Sequence, residues 1–313
     1  MPVTYEDICQ AHDRIKPFIH RTPLMTSRII NDIVGASLYF KCENFQKGGA
    51  FKARGAFNAV HSLSEEDAQK GIVTHSSGNH AAAVSLAAAS RHTKANVVMP
   101  STSPQPKKDA VAGYGATIVE CLPTLEARET AAQKIMAETG GTFIHPYDND
   151  HVIAGQGTAA KEMIEDGPDF DIIMCPVGGG GLMAGSATTV KHLTPNTTMI
   201  AGEPLGADDA KRSFQAGKII PQTGPNTIAD GLLTSLGERN FAIMQEKVDD
   251  ILTVKEENII RAMRLIWQHM KIIIEPSSAV PLGCLLEHNL DLENKNVGII
   301  LTGGNLDLDK LPW

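Results

Sequence analysis

The sequence predicts an α/β protein built on mostly parallel sheets. Short apolar, β-branched runs alternate with longer amphipathic stretches, and several runs are apolar on consecutive positions, as strands covered on both faces should be. The expected strands are 37–43, 71–76, 95–100, 116–121, 142–146, 172–177, 198–203, 250–255 and 297–302. Between them, 256–273 places Ile259, Met263, Ile266 and Met270 on one helical face. Another helix starts at about 125 and stops at Gly140-Gly141. Polar, turn-like stretches at 61–71 and 145–151 bracket a smaller unit at 71–147, which leaves 1–70 and 148–313 for a larger one.

At 313 residues the chain suits one large domain or two ordinary ones. Its net charge of -8, from 28 basic against 36 acidic side chains, disfavours nucleic acid and anionic membrane as partners. No stretch approaches the ~20 consecutive apolar residues of a membrane span. MPVTYEDICQAHDR carries acids where a secretory leader would be basic and then apolar, so a cytoplasmic globular enzyme is expected. Cys9, Cys42, Cys121, Cys175 and Cys284 form no CxxC pair and read as reduced thiols.

Three segments carry chemistry. The strand expected at 172–177 runs into Gly178, Gly179, Gly180 and Gly181, and a helical stretch opens at Leu182. A strand, a bare-backbone loop and a helix start make an anion site suited to phosphate. The same residues satisfy GxGxxA, with Glu203 ending a strand about 20 residues later as a ribose ligand would. On the loop alone, a nicotinamide oxidoreductase remains open. The second segment is FQKGGAFKARGA. Lys52 follows Phe51 and a glycine pair, with Lys47 and Arg54 as flanking cations. Desolvation and like charge would lower its pKa, as an amine that forms a Schiff base requires. The third is THSSGNH at 74–80, between a buried strand and an alanine-rich helix. Its helix start and its Ser and Asn side chains suit a carboxylate, and an N-cap role for Ser77 or Asn79 is the plain alternative.

FQKGGAFKARGA, HSSGNH, PVGGGG and LTGGN, in that order, resemble the pyridoxal-phosphate enzymes of the tryptophan-synthase β, or fold type II, group. The branch is that of serine racemase and the serine/threonine dehydratases. The resemblance extends from about Tyr5 to the end of the chain, through RTPL at 21–24, VIAGQGT at 152–158, EPLGADD at 203–209 and TIADG at 227–231. It implies two three-layer α/β domains, the smaller inserted in the larger, and a homodimer acting on a small amino acid. It also implies that Lys52 carries pyridoxal phosphate and acts as base at Cα. Gly178, Gly179, Gly180, Gly181 and Leu182 would hold the phosphate, Asn79 the ring's phenolic oxygen, and Phe51 the ring face. Ser76, Ser77, Asn79 and His80 would hold the substrate, and Thr302 would face the ring nitrogen.

Serine racemases carry a serine where this chain has Ser77, and it supplies the proton opposite the lysine; dedicated threonine dehydratases usually have alanine there. The resemblance therefore implies racemisation of serine with elimination of water to pyruvate and ammonia. A strict L-threonine/L-serine ammonia-lyase and a 3-hydroxyaspartate dehydratase are the alternatives. Glu203, Asp209 and the carbonyl of Ala207 match residues that bind Mg²⁺ or Ca²⁺. Ala81-Ala82 replaces a Gly-Gln that contacts ATP in animal relatives, although Tyr114, another nucleotide contact, is retained; ATP activation is not expected. From the short stretch after LTGGN, a carboxy-terminal regulatory domain and isoleucine feedback are not expected.

Overall fold

The structure is a computed structural model that describes residues 2–313. Its strands are β1 (Leu24–Met25), β2 (Ser37–Cys42), β3 (Ile72–His75), β4 (Ala95–Pro100), β5 (Thr117–Cys121), β6 (Thr142–Phe143), β7 (Ile172–Pro176), β8 (Thr198–Pro204), β9 (Asp250–Val254) and β10 (Asn296–Leu301). All but β1 fall on the runs expected from sequence. β1 is two residues long and pairs antiparallel with β2.

Two sheets result, mostly parallel, and the architecture is mixed α/β as expected. The six-stranded sheet has the order β1-β2-β10-β7-β8-β9, and the four-stranded sheet β5-β4-β3-β6. The smaller sheet takes all its strands from residues 72–143. In the larger sheet consecutive residues enter opposite layers. Met174 and Ile299 join one apolar cluster, while Ile173, Cys175 and Ile300 join the other. This is why these strands read as unbroken apolar runs rather than alternating ones.

Helix ends follow local chemistry. The Thr124 hydroxyl accepts from the backbone N–H of Ala127, and Gly140 turns left-handed at φ 69°, so the helix Leu125–Thr139 stops where the glycine pair predicts. The helix Glu256–Met270 ends three residues earlier than expected, because Lys271 adopts φ 60°. The 61–71 stretch is not all turn: it contains the short helix Glu65–Lys70, capped by Ser64. No helix among the described residues is long and apolar enough to cross a membrane. All five cysteines are free.

A fully buried ion cluster joins the strand that precedes the lysine motif to the helices behind it. Arg54, in the helix Lys52–His61, donates from Nε and Nη2 to Glu43 at 2.7 and 2.8 Å, and from Nη1 and Nη2 to Glu162 at 2.9 and 2.7 Å. Lys41 Nζ donates to Glu162 Oε2 and to the Thr22 carbonyl, both at 2.7 Å. The Arg54 Nη1 also reaches the Thr158 hydroxyl at 3.1 Å. Two cations thus face two anions, with all five Arg54 N–H groups partnered, the condition under which buried charge is tolerated. Burial works against ionisation of Glu162, yet Arg54 and Lys41 hold its carboxyl down at about 2. Glu162→Gln takes away the only carboxylate paired with Lys41 among the described residues and leaves Arg54 with Glu43 alone, and should destabilise the cofactor-free protein by about 3–5 kcal/mol, measured as a lowered urea midpoint.

Candidate active site

Three neighbouring strands of the larger sheet, β2, β10 and β7, deliver their carboxyl ends to one crevice, the expected ligand position in an open parallel sheet. β7 leads into Gly178, Gly179, Gly180 and Gly181, β10 into Thr302, and β2 through residues 43–51 into Lys52. The smaller sheet contributes the end of β3, which continues as Ser76, Ser77, Gly78 and Asn79. The cavity between them is about 400 Å³ and is lined by every cofactor and substrate residue predicted above: Phe51, Lys52, Ser76, Ser77, Asn79, His80, the four glycines, Leu182 and Thr302.

The lysine segment is fastened to the LTGGN segment by main-chain bonds. Phe51 N–H donates to Thr302 O, and Gly304 N–H to Gly49 O, both at 2.9 Å. Lys52 then opens its helix with Nζ donating to the Pro146 carbonyl at 2.9 Å and lying 5.1 Å from the Phe51 ring centroid. Burial lowers its pKa to about 8, and the Glu275 carboxyl pulls the other way. Of the two causes expected, desolvation operates and like charge does not. Arg54 is neutralised by Glu43 and Glu162, and Lys47 does not line the cavity, so desolvation alone depresses the amine.

Gly180 closes the glycine loop at φ 89°, a left-handed conformation, and a Cβ there would lie 2.9 Å from the Cβ of Asn240. A Cβ at Gly179 would overlap the Tyr147 ring. Asn240 Nδ2 donates to Gly179 O at 2.6 Å and to Tyr147 O at 3.1 Å, pinning the loop against the segment that holds Lys52. The helix Gly181–Leu193 starts here, so its first N–H groups face the crevice as a phosphate site requires.

The SSGN turn is not spent on capping. Gly78 is the N-cap of the helix Asn79–Ser90 and no side chain caps it. Ser76 Oγ accepts from Gly78 N–H at 3.3 Å. Asn79 Nδ2 donates to both Glu275 oxygens at 3.0 Å, and its Oδ1 accepts from Asn305 Nδ2 at 3.0 Å. His80 departs from its expected part. It is buried, which holds the imidazole neutral, and its Nε2 meets the Ile144 carbonyl at 3.3 Å. The proton therefore sits on Nε2, and Nδ1, buried without a partner, can only accept, so the ring is no donor for a carboxylate. Thr302 Oγ1 shares a 2.9 Å hydrogen bond with Ser278 Oγ.

Glu203, Ala207 and Asp209 lie outside this cavity, on the end of β8 and the turn and helix that follow it. Glu203 accepts from Ala210 N–H at 2.8 Å and Lys211 N–H at 2.9 Å, so it caps the helix Asp209–Ala216 rather than facing the glycine loop. That removes the ribose reading. Asp209 Oδ1 accepts from Gln222 at 3.1 Å, and Oδ2 is buried without a partner. Burial raises Glu203 to about 8 and Asp209 to about 6. An orphaned oxygen beside a second buried carboxyl fits a hard cation completed by the Ala207 carbonyl. Among the described residues no three His, Cys, Asp or Glu side chains gather as a metal site, so main chain or water would have to complete the shell.

Sequence reasoning missed Glu275, Tyr147, Asn240 and Arg128. Glu275 alone had a signal, an acid directly before Pro276 at a helix start. Burial pushes its carboxyl up to about 7. Arg128 lines the cavity and forms no ion pair with any described residue.

A family model described as pyridoxal-phosphate dependent enzyme matches residues 15–303. The chain is 53% identical over 310 residues to the beta-hydroxyaspartate dehydratase of Paracoccus denitrificans, covering 99% of this chain and 98% of that one. It is 50% identical over 313 residues to the serine racemase of Dictyostelium discoideum, covering 99% and 97%. The crystal structure of serine racemase from Dictyostelium discoideum superposes with a TM-score of 0.94, at 51% identity, over 98% of this chain and 99% of that one.

Proposed function

Because the chain belongs to the family of pyridoxal-phosphate dependent enzymes, we propose that it racemises serine and also eliminates water from it to give pyruvate and ammonia. The observation that carries this reading is the presence of Lys52 and Ser77 in the wall of one cavity that also holds the phosphate loop. The cavity fits the cofactor: a desolvated lysine, an aromatic side chain beside it, and a glycine loop at a helix N-terminus. Bound there, the cofactor supplies the carbonyl that takes the substrate amine and a conjugated ring that spreads charge from Cα.

The chain's own residues do the rest. Lys52 Nζ, with a pKa near that of a working base, takes the proton from Cα on one side. Ser77 Oγ–H returns a proton on the other, which inverts the centre. Ser76, Ser77 and Asn79 hold the carboxylate, and His80 supplies the turn rather than a donor. Thr302, a neutral hydroxyl bonded to Ser278, brings no charge to the ring nitrogen, which disfavours amino transfer and leaves elimination and reprotonation. Loss of the β-hydroxyl as water instead of reprotonation leaves an enamine, which after release is hydrolysed by water to the keto acid and ammonia.

A second reading, a 3-hydroxyaspartate dehydratase, is favoured by one observation: the unpaired guanidinium of Arg128 in the cavity wall would meet a second carboxylate. Comparing kcat/KM for serine, threonine, aspartate and 3-hydroxyaspartate separates the two readings. The reading extends to a cytoplasmic homodimer without ATP activation, and to a division into a domain of 1–70 plus 148–313 and a smaller one of 71–147. The β3–β6 sheet, drawn wholly from 72–143, supports that division. It extends also to Mg²⁺ or Ca²⁺ at Glu203, Asp209 and the Ala207 carbonyl, supported by the orphaned Asp209 Oδ2.

In Ser77→Ala, racemisation should collapse by about 10²-fold or more while pyruvate formation from L-serine survives; equal loss of both in folded, cofactor-loaded protein would refute a selective proton donor. Chelation with EDTA should lower the melting temperature and Mg²⁺ should restore it, the bound ion stabilising the fold by about 2.7 kcal/mol at a hundredfold excess over Kd. Asp209→Ala should abolish that response.

A further inference from the structure

Glu275 is a fully buried carboxyl in the cavity wall that the proposed chemistry does not use. It is the N-cap of the helix Pro276–Glu287, held there by its own N–H donating to Gly303 O at 2.9 Å, so the helix dipole favours its ionised form. No cation lies within ion-pair distance among the described residues. Its one side-chain donor is Asn79, whose Nδ2 sits 3.0 Å from both carboxylate oxygens. The charged groups around it are Lys52, Lys107 and Asp230, all lining the same cavity.

The other end of the Asn79 amide is also engaged. Asn305 Nδ2 donates to Asn79 Oδ1 at 3.0 Å and to Gly48 O at 2.7 Å. A flipped amide would set Asn79 Oδ1 against the carboxylate and its NH₂ against that of Asn305, two repulsive contacts in place of two hydrogen bonds. Only one orientation is therefore allowed. The two oxygens of one carboxylate lie too close together to engage both diverging N–H bonds of an amide, so they share one. The second N–H of Asn79 stays free.

We propose that Glu275 is a positioning residue: with Asn305 it locks the Asn79 amide so that a donor, and never an acceptor, is available to the ring oxygen of the bound cofactor. The lock also spans the two sheets. Asn79 follows β3 of the smaller sheet, whereas Glu275 and Asn305 flank β10 of the larger one. The donor is thus presented only when both halves of the cavity are in place. This rests on reading Asn79 as the residue that faces the ring oxygen.

The test is a double-mutant cycle read as the dissociation constant of pyridoxal phosphate, measured by equilibrium dialysis at pH 8 on cofactor-free protein, with melting temperatures as the check on folding. Glu275→Gln removes the charge that fixes the amide, and Asn79→Ala removes the donor. Each should weaken binding by roughly tenfold, and the double variant should be no weaker than Asn79→Ala alone. A Glu275→Gln effect that persists in the Asn79→Ala background, or no effect of Glu275→Gln, overturns the proposal. No effect of Asn79→Ala itself overturns the reading of Asn79 and the proposal with it. Should Glu275→Gln fail to fold, the exposed Asn305→Ala carries the same cycle with the same expected non-additivity.

Discussion

The arrangement rests on a balanced set of buried charges: Arg54 and Lys41 against Glu43 and Glu162. Arg54 lies two residues beyond Lys52 on the same helix. Residues two apart on a helix point to nearly opposite sides, so the guanidinium goes inward to its carboxylates while the amine goes to the cavity. The cluster ties the end of β2, the lysine-bearing helix and the helix Asp150–Asp166 into one body. It also absorbs the positive charge nearest to the amine. Lys52 is left as a desolvated cation whose nearest counter-charge, Glu275, is itself raised to about 7 by burial.

The crevice follows from sheet order. β2, β10 and β7 are neighbours although they lie far apart in sequence, and their carboxyl ends supply the lysine, the hydroxyl of Thr302 and the glycine loop. Main-chain bonds from Phe51 and Gly304 then fix the lysine segment against the LTGGN segment. Asn240 fixes the glycine loop against Tyr147. The lysine segment is thus held by main-chain bonds to another strand's exit and the glycine loop by a side-chain amide from a neighbouring helix, a sound basis for precise placement.

Much of this was legible in the sequence because the signals are local. Strands buried on both faces announce themselves as apolar runs, and nine were read correctly; the two-residue β1, next to Pro23, is too short to show a period. Motifs with their own local geometry, such as the glycine loop and the SSGN turn, pointed to the cavity residue by residue. What failed was inference across space. Arg54 was read as a neighbour of Lys52 because it is near in sequence, when the helix turns it away. His80 was grouped with the substrate-holding turn because it adjoins it in sequence, and the Ile144 carbonyl that engages its Nε2 comes from a segment 64 residues away. Asn240 and Arg128 reach the cavity region through folding alone, with no motif around them, and the acid before Pro276 marks a helix start at Glu275 without marking its place in the cavity.

The central claim is that burial, with neighbouring positive charge neutralised, makes Lys52 a usable amine. The most direct measurement is the pH dependence of Lys52 modification by a small amine-reactive reagent in the cofactor-free protein, followed by peptide mass spectrometry. The account predicts a midpoint near 8. A midpoint at the ordinary lysine value of 10.5 would contradict it.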